Sequence, residues 1–170
     1  MTKLTGKVFK RSRISNTESY CYWINNTPKP GQIEHKIGVN WGYIWILNTI
    51  KEWEKLHSFE WEVDYGILRA DGLASIKNVF TNDYRFHFIE FENTKKSLED
   101  KVNRINIFFE EKRYINAWWS SLATGFPSII VISEDINKIE KIIQKENRNN
   151  LNFIVCLYSE VKEDCLKWLR

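Results

Sequence analysis

Residues 84–101, YRFHFIEFENTKKSLEDK, decide how this chain folds. The first nine are dominated by aromatic and aliphatic side chains, as a strand requires, so Phe86, Phe88, Glu90 and Glu92 share one face and His87, Ile89 and Phe91 the other. After Asn93 the apolar period changes from two to that of a helix. Thr94 stands at the N-cap, and Leu98, Val102, Ile105 and Phe109 form one stripe, with Lys95, Lys96, Lys101 and Arg104 mostly off it. Two glutamates at the end of an aromatic strand need a reason. A carboxylate beside buried rings must be paired, protonated or bound to a cation, because desolvating it alone costs several kcal/mol.

Outward from this stretch the same periods order the chain. Ile33, Ile37, Trp41, Ile44, Trp45, Leu47 and Ile50 predict a helix running into KEWEKL, with Trp41 and Trp45 in the core. Ser58–Tyr65, Leu68–Lys77 and Tyr84–Glu92 read as a three-stranded meander, with Thr81, Asn82 and Asp83 as its second turn. PSIIVIS from Pro127 and NFIVCLY from Asn152 are continuously apolar, as strands buried on both faces are. Between them Ser133 caps a helix carrying Ile136, Ile139 and Ile143 that Asn149 and Asn150 end; a helix over 161–169 closes the order. The expected fold is α/β, a mixed sheet flanked by helices on both faces and preceded by a short β-hairpin.

That hairpin pairs KVFKRSR (7–13) with YCYWI (20–24), and NNTPKPG (25–31) separates it from the rest. Residues 1–31 are thus expected as a basic hairpin and linker, and 32–170 as the main domain. Lys7, Lys10, Arg11 and Arg13, with Lys95 and Lys96, are the candidate phosphate contacts; an ordinary edge ribbon kept soluble by its basic residues is the alternative.

Composition narrows the classes. At 170 residues the chain suits one sizeable core, and 43% hydrophobic with 28% charged residues speaks against disorder. No apolar run reaches the ~20 residues of a membrane helix, and MTKLTGKVFKRSR has no signal-peptide core, so the cytoplasm is the expected address. Cys21, Cys156 and Cys165 fall in no CxxC spacing, and three histidines without HxxxH argue against a zinc hydrolase. P-loop, GxGxxG and G-x-S-x-G patterns are missing from the sequence. A net charge of +3 does not by itself require a nucleic-acid partner.

The acids carry the chemistry. Asp71 in ILRADGLASI and Glu62 in SFEWEVDY occupy the strands preceding that of Glu90, so adjacent strands would bring Glu62, Asp71 and Glu90 to one sheet edge. A few carboxylates suit Mg²⁺ or Mn²⁺, which retain waters for a phosphodiester substrate. The plainer reading bridges the acids to Arg69, Lys77, Lys95, Lys96 or Lys101, and leaves Glu60, Asp64 and Glu99 at the surface.

With these residues in view, the chain resembles the PD-(D/E)xK, or restriction-endonuclease-like, fold, and more narrowly the replication-relaxation proteins of plasmids and mobile elements. The resemblance covers about Ile33 to Tyr158 through IEHKIGVNWGYIWIL, FEWEV, LRADGLASI, FHFIEFENT and FPSIIVIS. It implies that Asp71 is the motif aspartate, Glu90 the second acid and Glu62 an additional acid, together the metal ligands. Glu92 stands where active nucleases place a lysine, and Lys101 or Lys95 would substitute for it. The resemblance also implies a winged-helix domain ahead of this region, with the basic hairpin as the remnant of its wing. Its implied partners are DNA, a replication or mobilisation protein and a second copy of the chain. The resulting expectation is a DNA-binding protein acting in replication or transfer of a mobile element. Its alternative is an active Mg/Mn-dependent DNA endonuclease or nickase, with Asp71, Glu90, Glu92 and Lys101 as catalytic residues. The pair Trp118 and Trp119 is read as core or subunit contact ahead of a platform for unpaired bases.

Overall fold

The computed structural model describes residues 3–4, 7–12, 21–24, 30–92 and 95–168; before residue 33, at 95–97 and at 168 it describes the backbone alone. The chain divides into two compact units, Met1–Ile37 and Gly38–Arg170. In the first, β1 (Lys3–Leu4), β2 (Lys7–Ser12) and β3 (Cys21–Ile24) form an antiparallel sheet in that order, with Phe9 opposite Ile24 and Ser12 opposite Cys21. The side chains of Lys7, Lys10, Arg11, Lys95 and Lys96, and all of Arg13 and Thr94, lie outside the described residues.

Helix α1 (Pro30–Thr49) leads into a five-stranded mixed sheet in the second unit. The strands β4 (Glu54–Asp64), β5 (Arg69–Asn78), β6 (Tyr84–Phe91), β7 (Ser128–Ser133) and β8 (Phe153–Leu157) lie side by side in chain order. The first three pair antiparallel through hairpins, whereas β6–β7 and β7–β8 are parallel. Parallel neighbours need crossovers, and α2 (Lys95–Glu110) and α3 (Ile136–Glu146) supply them; α4 (Tyr158–Trp168) follows β8.

Alternation along β6 divides the core. Phe86 and Phe88 pack with Leu98, Val102, Ile105 and Phe108 of α2 and Ile139 of α3. Ile89 and Phe91 pack with Val39 and Ile46 of α1 and with Tyr158 and Val161 of α4. Helices therefore cover both faces. Two glycines one turn apart let α1 lie close: a Cβ on Gly38 would run into the Phe91 ring, and one on Gly42 would stand 2.8 Å from Ile132 Cδ1. Among the described residues, no helix is long and apolar enough to cross a membrane.

Several boundaries differ from the sequence reading. The first helix starts at Pro30 and ends at Thr49 instead of entering KEWEKL. Thr49 Oγ1 donates back to the Ile46 carbonyl, a turn closes between Lys51 and Glu54, and Glu54 and Lys55 then pair with Asn78 and Lys77. Sheet pairing outweighs helical periodicity there. In α2 the fully buried aromatic is Phe108, with Phe109 only half-buried, and Trp41 and Trp45 are likewise half-buried against the core. Asp135, not Ser133, caps α3 by accepting from the Lys138 amide, and Asn147 ends that helix ahead of Asn149 and Asn150. Strand β8 is an edge strand with Ile154 37% exposed, not a strand buried on both faces.

Candidate active site

The β5–β6 ladder runs from Lys77↔Tyr84 to Gly72↔Ile89. The next residues in register are Asp71 and Glu90, beyond the last ladder pair. There the Asp71 carboxylate reaches across, and its Oδ2 accepts a hydrogen bond from the Phe91 amide at 3.0 Å. A side chain thus satisfies a backbone donor at the end of the ladder.

Lys101 arrives from α2. It lies three residues after fully buried Leu98 and one before fully buried Val102, so the helix carries it toward the sheet end instead of into solvent. Its Nζ donates to Glu90 Oε2 at 2.6 Å and to Asp71 Oδ2 at 3.1 Å. The Glu90 side chain is 1% exposed, against 14% for Asp71 and 21% for Lys101. Glu90 Oε1 is buried and has no hydrogen-bond partner among the described residues.

Burial pushes the Glu90 carboxyl up to about 8; the Lys101 charge opposes the shift and the Asp71 charge adds to it. For Lys101, burial disfavours the ammonium, but Glu90 and Asp71 outweigh it and raise the pKa above the ordinary lysine value. With every group ionised the trio carries a net charge of −1.

The other expected acids take different places. Glu62 lies between the pairs Trp61↔Gly72 and Val63↔Ala70, hence across from Asp71. Its φ of +55° is left-handed, which is unfavourable for a glutamate inside a strand, and its half-exposed side chain is bridged by Arg69 Nη2 at 3.2 Å. Glu92 is 3% exposed just beyond β6, where its amide donates to the Ile132 carbonyl at 2.9 Å. The structure therefore brings Asp71, Glu90 and Lys101 together. Among the described residues, no group of three or more His, Cys, Asp or Glu side chains is arranged to hold a metal ion.

Two hard carboxylates fit a Mg²⁺ or Mn²⁺ ion that keeps most of its waters, since such ions are commonly held by one or two carboxylates plus substrate phosphate. The unsatisfied Glu90 Oε1 is the atom with spare coordinating capacity. His87 lies on the opposite face of β6; burial, with the Arg85 charge, lowers it to about 4, so it is neutral and no proton carrier at neutral pH. Of the tryptophan pair, Trp119 is buried with its Nε1 donating to the Tyr65 hydroxyl at 2.8 Å, and Trp118 is 43% exposed against Phe86.

Sequence reasoning missed one part of this site: the Phe91 amide as an anchor for Asp71 has no sequence signal. Arg69, expected as a partner for the acids, bridges Glu62 diagonally across the hairpin, its own register partner being Asp64. No protein-family model, curated protein or solved structure matches the chain.

Proposed function

We propose that this chain acts on DNA through a nuclease-like site of the PD-(D/E)xK type, in the replication or transfer of a plasmid or other mobile element, and that the site cleaves phosphodiesters with Mg²⁺ or Mn²⁺. The observation that carries the reading is Lys101, whose Nζ lies within hydrogen-bond distance of both Asp71 and Glu90. An acid on one strand, an acid on the next and a lysine between them is the set that phosphodiester hydrolysis needs when the strand's own lysine position is Glu92.

In this scheme Asp71 and Glu90 would hold the ion, with Asp71 fixed by the Phe91 amide so that its carboxylate does not turn away. The bound ion would lower the pKa of a coordinated water and offset charge on the phosphate. Lys101, positively charged and already donating to both acids, would have its third proton for a phosphate oxygen or the attacking water. Burial around Glu90 keeps bulk water from screening these charges.

Nicking of supercoiled plasmid with Mg²⁺ or Mn²⁺, beside Asp71→Ala and Lys101→Met, tests the reading. Metal-dependent nicking lost in both variants is the expected result; nicking that survives Asp71→Ala refutes the site. A second reading, DNA binding without cleavage, is favoured by Glu92 in the motif's lysine position. It predicts no nicking and affinity that falls steeply with salt, equally in wild type and Asp71→Ala.

A further inference from the structure

Lys55 and Lys77 are register partners across the β4–β5 ladder, so two side chains of like charge stand opposite each other on one face of the sheet. Alternation identifies that face. Asp71, Leu73, Ser75 and Lys77 share one side of β5, and Leu73 packs in the core cluster under α2. Tyr84 belongs to the same side: its ring stacks on Phe86 at 6.2 Å, and the Lys77 ammonium lies 5.4 Å from its centre. The β4 register slips between Leu56 and Ser58, and the residue left over, exposed His57, sets its ring edge-on to Tyr84 at 5.1 Å. Lys55, His57 and Lys77 thus place hydrogen-bond donors around one aromatic ring.

Like charges directly opposite each other destabilise a sheet unless something neutralises them. No acid of the chain does so here. Among the described residues neither lysine makes an ion pair. Glu54, next to Lys55, is 10% exposed and taken by the Arg85 guanidinium at 2.8 Å. The charge therefore calls for an anion from outside the chain. Position narrows which one. Lys77 follows Asp71 by six residues on the same side of β5, about 20 Å along the strand, and this is roughly six base-pair steps of duplex DNA. A duplex is long enough to reach both places, and its repeated phosphates suit an open surface patch that encloses nothing.

We propose that Lys55 and Lys77, with His57 beside them, hold a backbone phosphate of duplex DNA, an anchor on the same sheet face as Asp71, Glu90 and Lys101. This rests on the DNA reading given above and is independent of cleavage. The anchor positions DNA and touches no reacting atom, so its loss lowers affinity for all sequences alike. Nor does it serve the fold, because removing facing ammoniums relieves repulsion.

The test is fluorescence anisotropy with a labelled duplex of about 20 base pairs in EDTA, from about 50 to about 200 mM salt. It compares wild type, Lys55→Gln/Lys77→Gln and a control of equal charge, Lys162→Gln/Lys167→Gln, on α4, which packs against the other face. Lys55→Gln/Lys77→Gln is expected to bind about tenfold or more weakly at the lowest salt. The slope of log affinity against log salt should shrink by about one to two, and the control should lose less than about threefold. Circular dichroism should show the double variant melting no lower than wild type; the single Lys55→Gln, at an exposed position, carries the comparison if the double variant is unfolded. Equal losses in the two double variants, or an unchanged salt slope in Lys55→Gln/Lys77→Gln, overturn the anchor and leave the DNA reading standing. No duplex binding by wild type overturns both, and binding of polyglutamate through Lys55 and Lys77 in that case would make an acidic protein the partner. Duplex binding that depends on Lys55 and Lys77 without plasmid nicking supports the anchor and removes cleavage alone.

Discussion

Replacing Lys101 by methionine isolates what the ammonium does for one buried and one half-buried acid. Methionine keeps most of the aliphatic stem, so lost packing is small and the change is mainly electrostatic. Two charge-assisted hydrogen bonds disappear, one of them to a carboxylate 1% exposed. Breaking a buried pair in this way costs about 3–5 kcal/mol, and the partial exposure of Lys101 and Asp71 places the expected value near about 3 kcal/mol at pH 9. The cost depends on pH in a defined direction. The Glu90 carboxyl is raised to about 8 in the folded protein, so its contribution to wild-type stability falls from the ordinary carboxylate range up to about pH 8 and then levels. Without the ammonium, which opposes that shift, Glu90 rises further and the variant continues to lose stability above pH 8. The gap between the two proteins should therefore widen by about 1.4 kcal/mol per pH unit there. Urea denaturation followed by circular dichroism in EDTA, from pH 6 to 9, measures it. A difference below about 0.5 kcal/mol throughout, or one that narrows as pH rises, would refute the trio as a coupled buried cluster.

Three further variants probe neighbouring parts of the argument. Glu90→Gln removes that titration and leaves the opposing contribution of His87 common to both proteins, so between pH 5 and 8 its stability should gain up to about 4 kcal/mol relative to wild type, read from paired urea midpoints; parallel curves would mean that Glu90 is ionised at ordinary pH. Glu62→Gly relieves a left-handed φ of +55° and should raise stability by about 0.5–1 kcal/mol in spite of the lost Arg69 bridge, seen as a higher melting temperature, whereas a fall would show that the strand is unstrained there. Gly38→Ala adds a methyl group against the Phe91 ring and should cost about 1–2 kcal/mol even though alanine is the better helix former; a stabilised variant would contradict the close approach of α1 to β6.

The α/β class was legible because the decisive stretch shows both periods side by side. Phe86 and Phe88 against Ile89 and Phe91 mark a strand covered on two faces, and the structure divides them between the two core clusters as alternation requires. What failed was local. Ile50 and Trp53 continue the helical spacing of α1, yet Glu54 and Lys55 belong to a strand, because pairing with Asn78 and Lys77 satisfies their backbone groups over a long ladder. Periodicity reports which residues are apolar and does not see the partner strand. The same blindness made β8 look interior: FIVCL is apolar throughout, but among the described residues no strand lies beyond it, and Ile154 is left on the outer edge.

The site was legible to a different extent for each residue. Asp71 and Glu90 fall opposite each other once β5 and β6 pair without a shift, which alternation and a short turn at 79–83 are enough to give. Lys101 was recognisable as a lysine one turn of helix from Leu98, but its reach to both acids depends on how closely α2 is drawn onto the sheet by Leu98, Val102, Ile105 and Phe108, a packing quantity that spacing alone does not contain. Glu62 shows the opposite case, since its register is right and its backbone is not: a left-handed residue redirects the side chain toward Arg69. The charge count then ties the residues to the proposed chemistry. With Glu90 ionised, as a bound divalent cation would require, Asp71, Glu90 and Lys101 would carry −1, and the ion would leave a site of +1 facing the −1 of a phosphodiester. Two acids without the lysine would reach neutrality on binding the same ion and offer the phosphate nothing beyond it. On the proposed nuclease reading, Lys101 would be the residue that gives two metal-holding acids a net attraction for a phosphodiester, and it would do so from α2 and not from the strand position of Glu92.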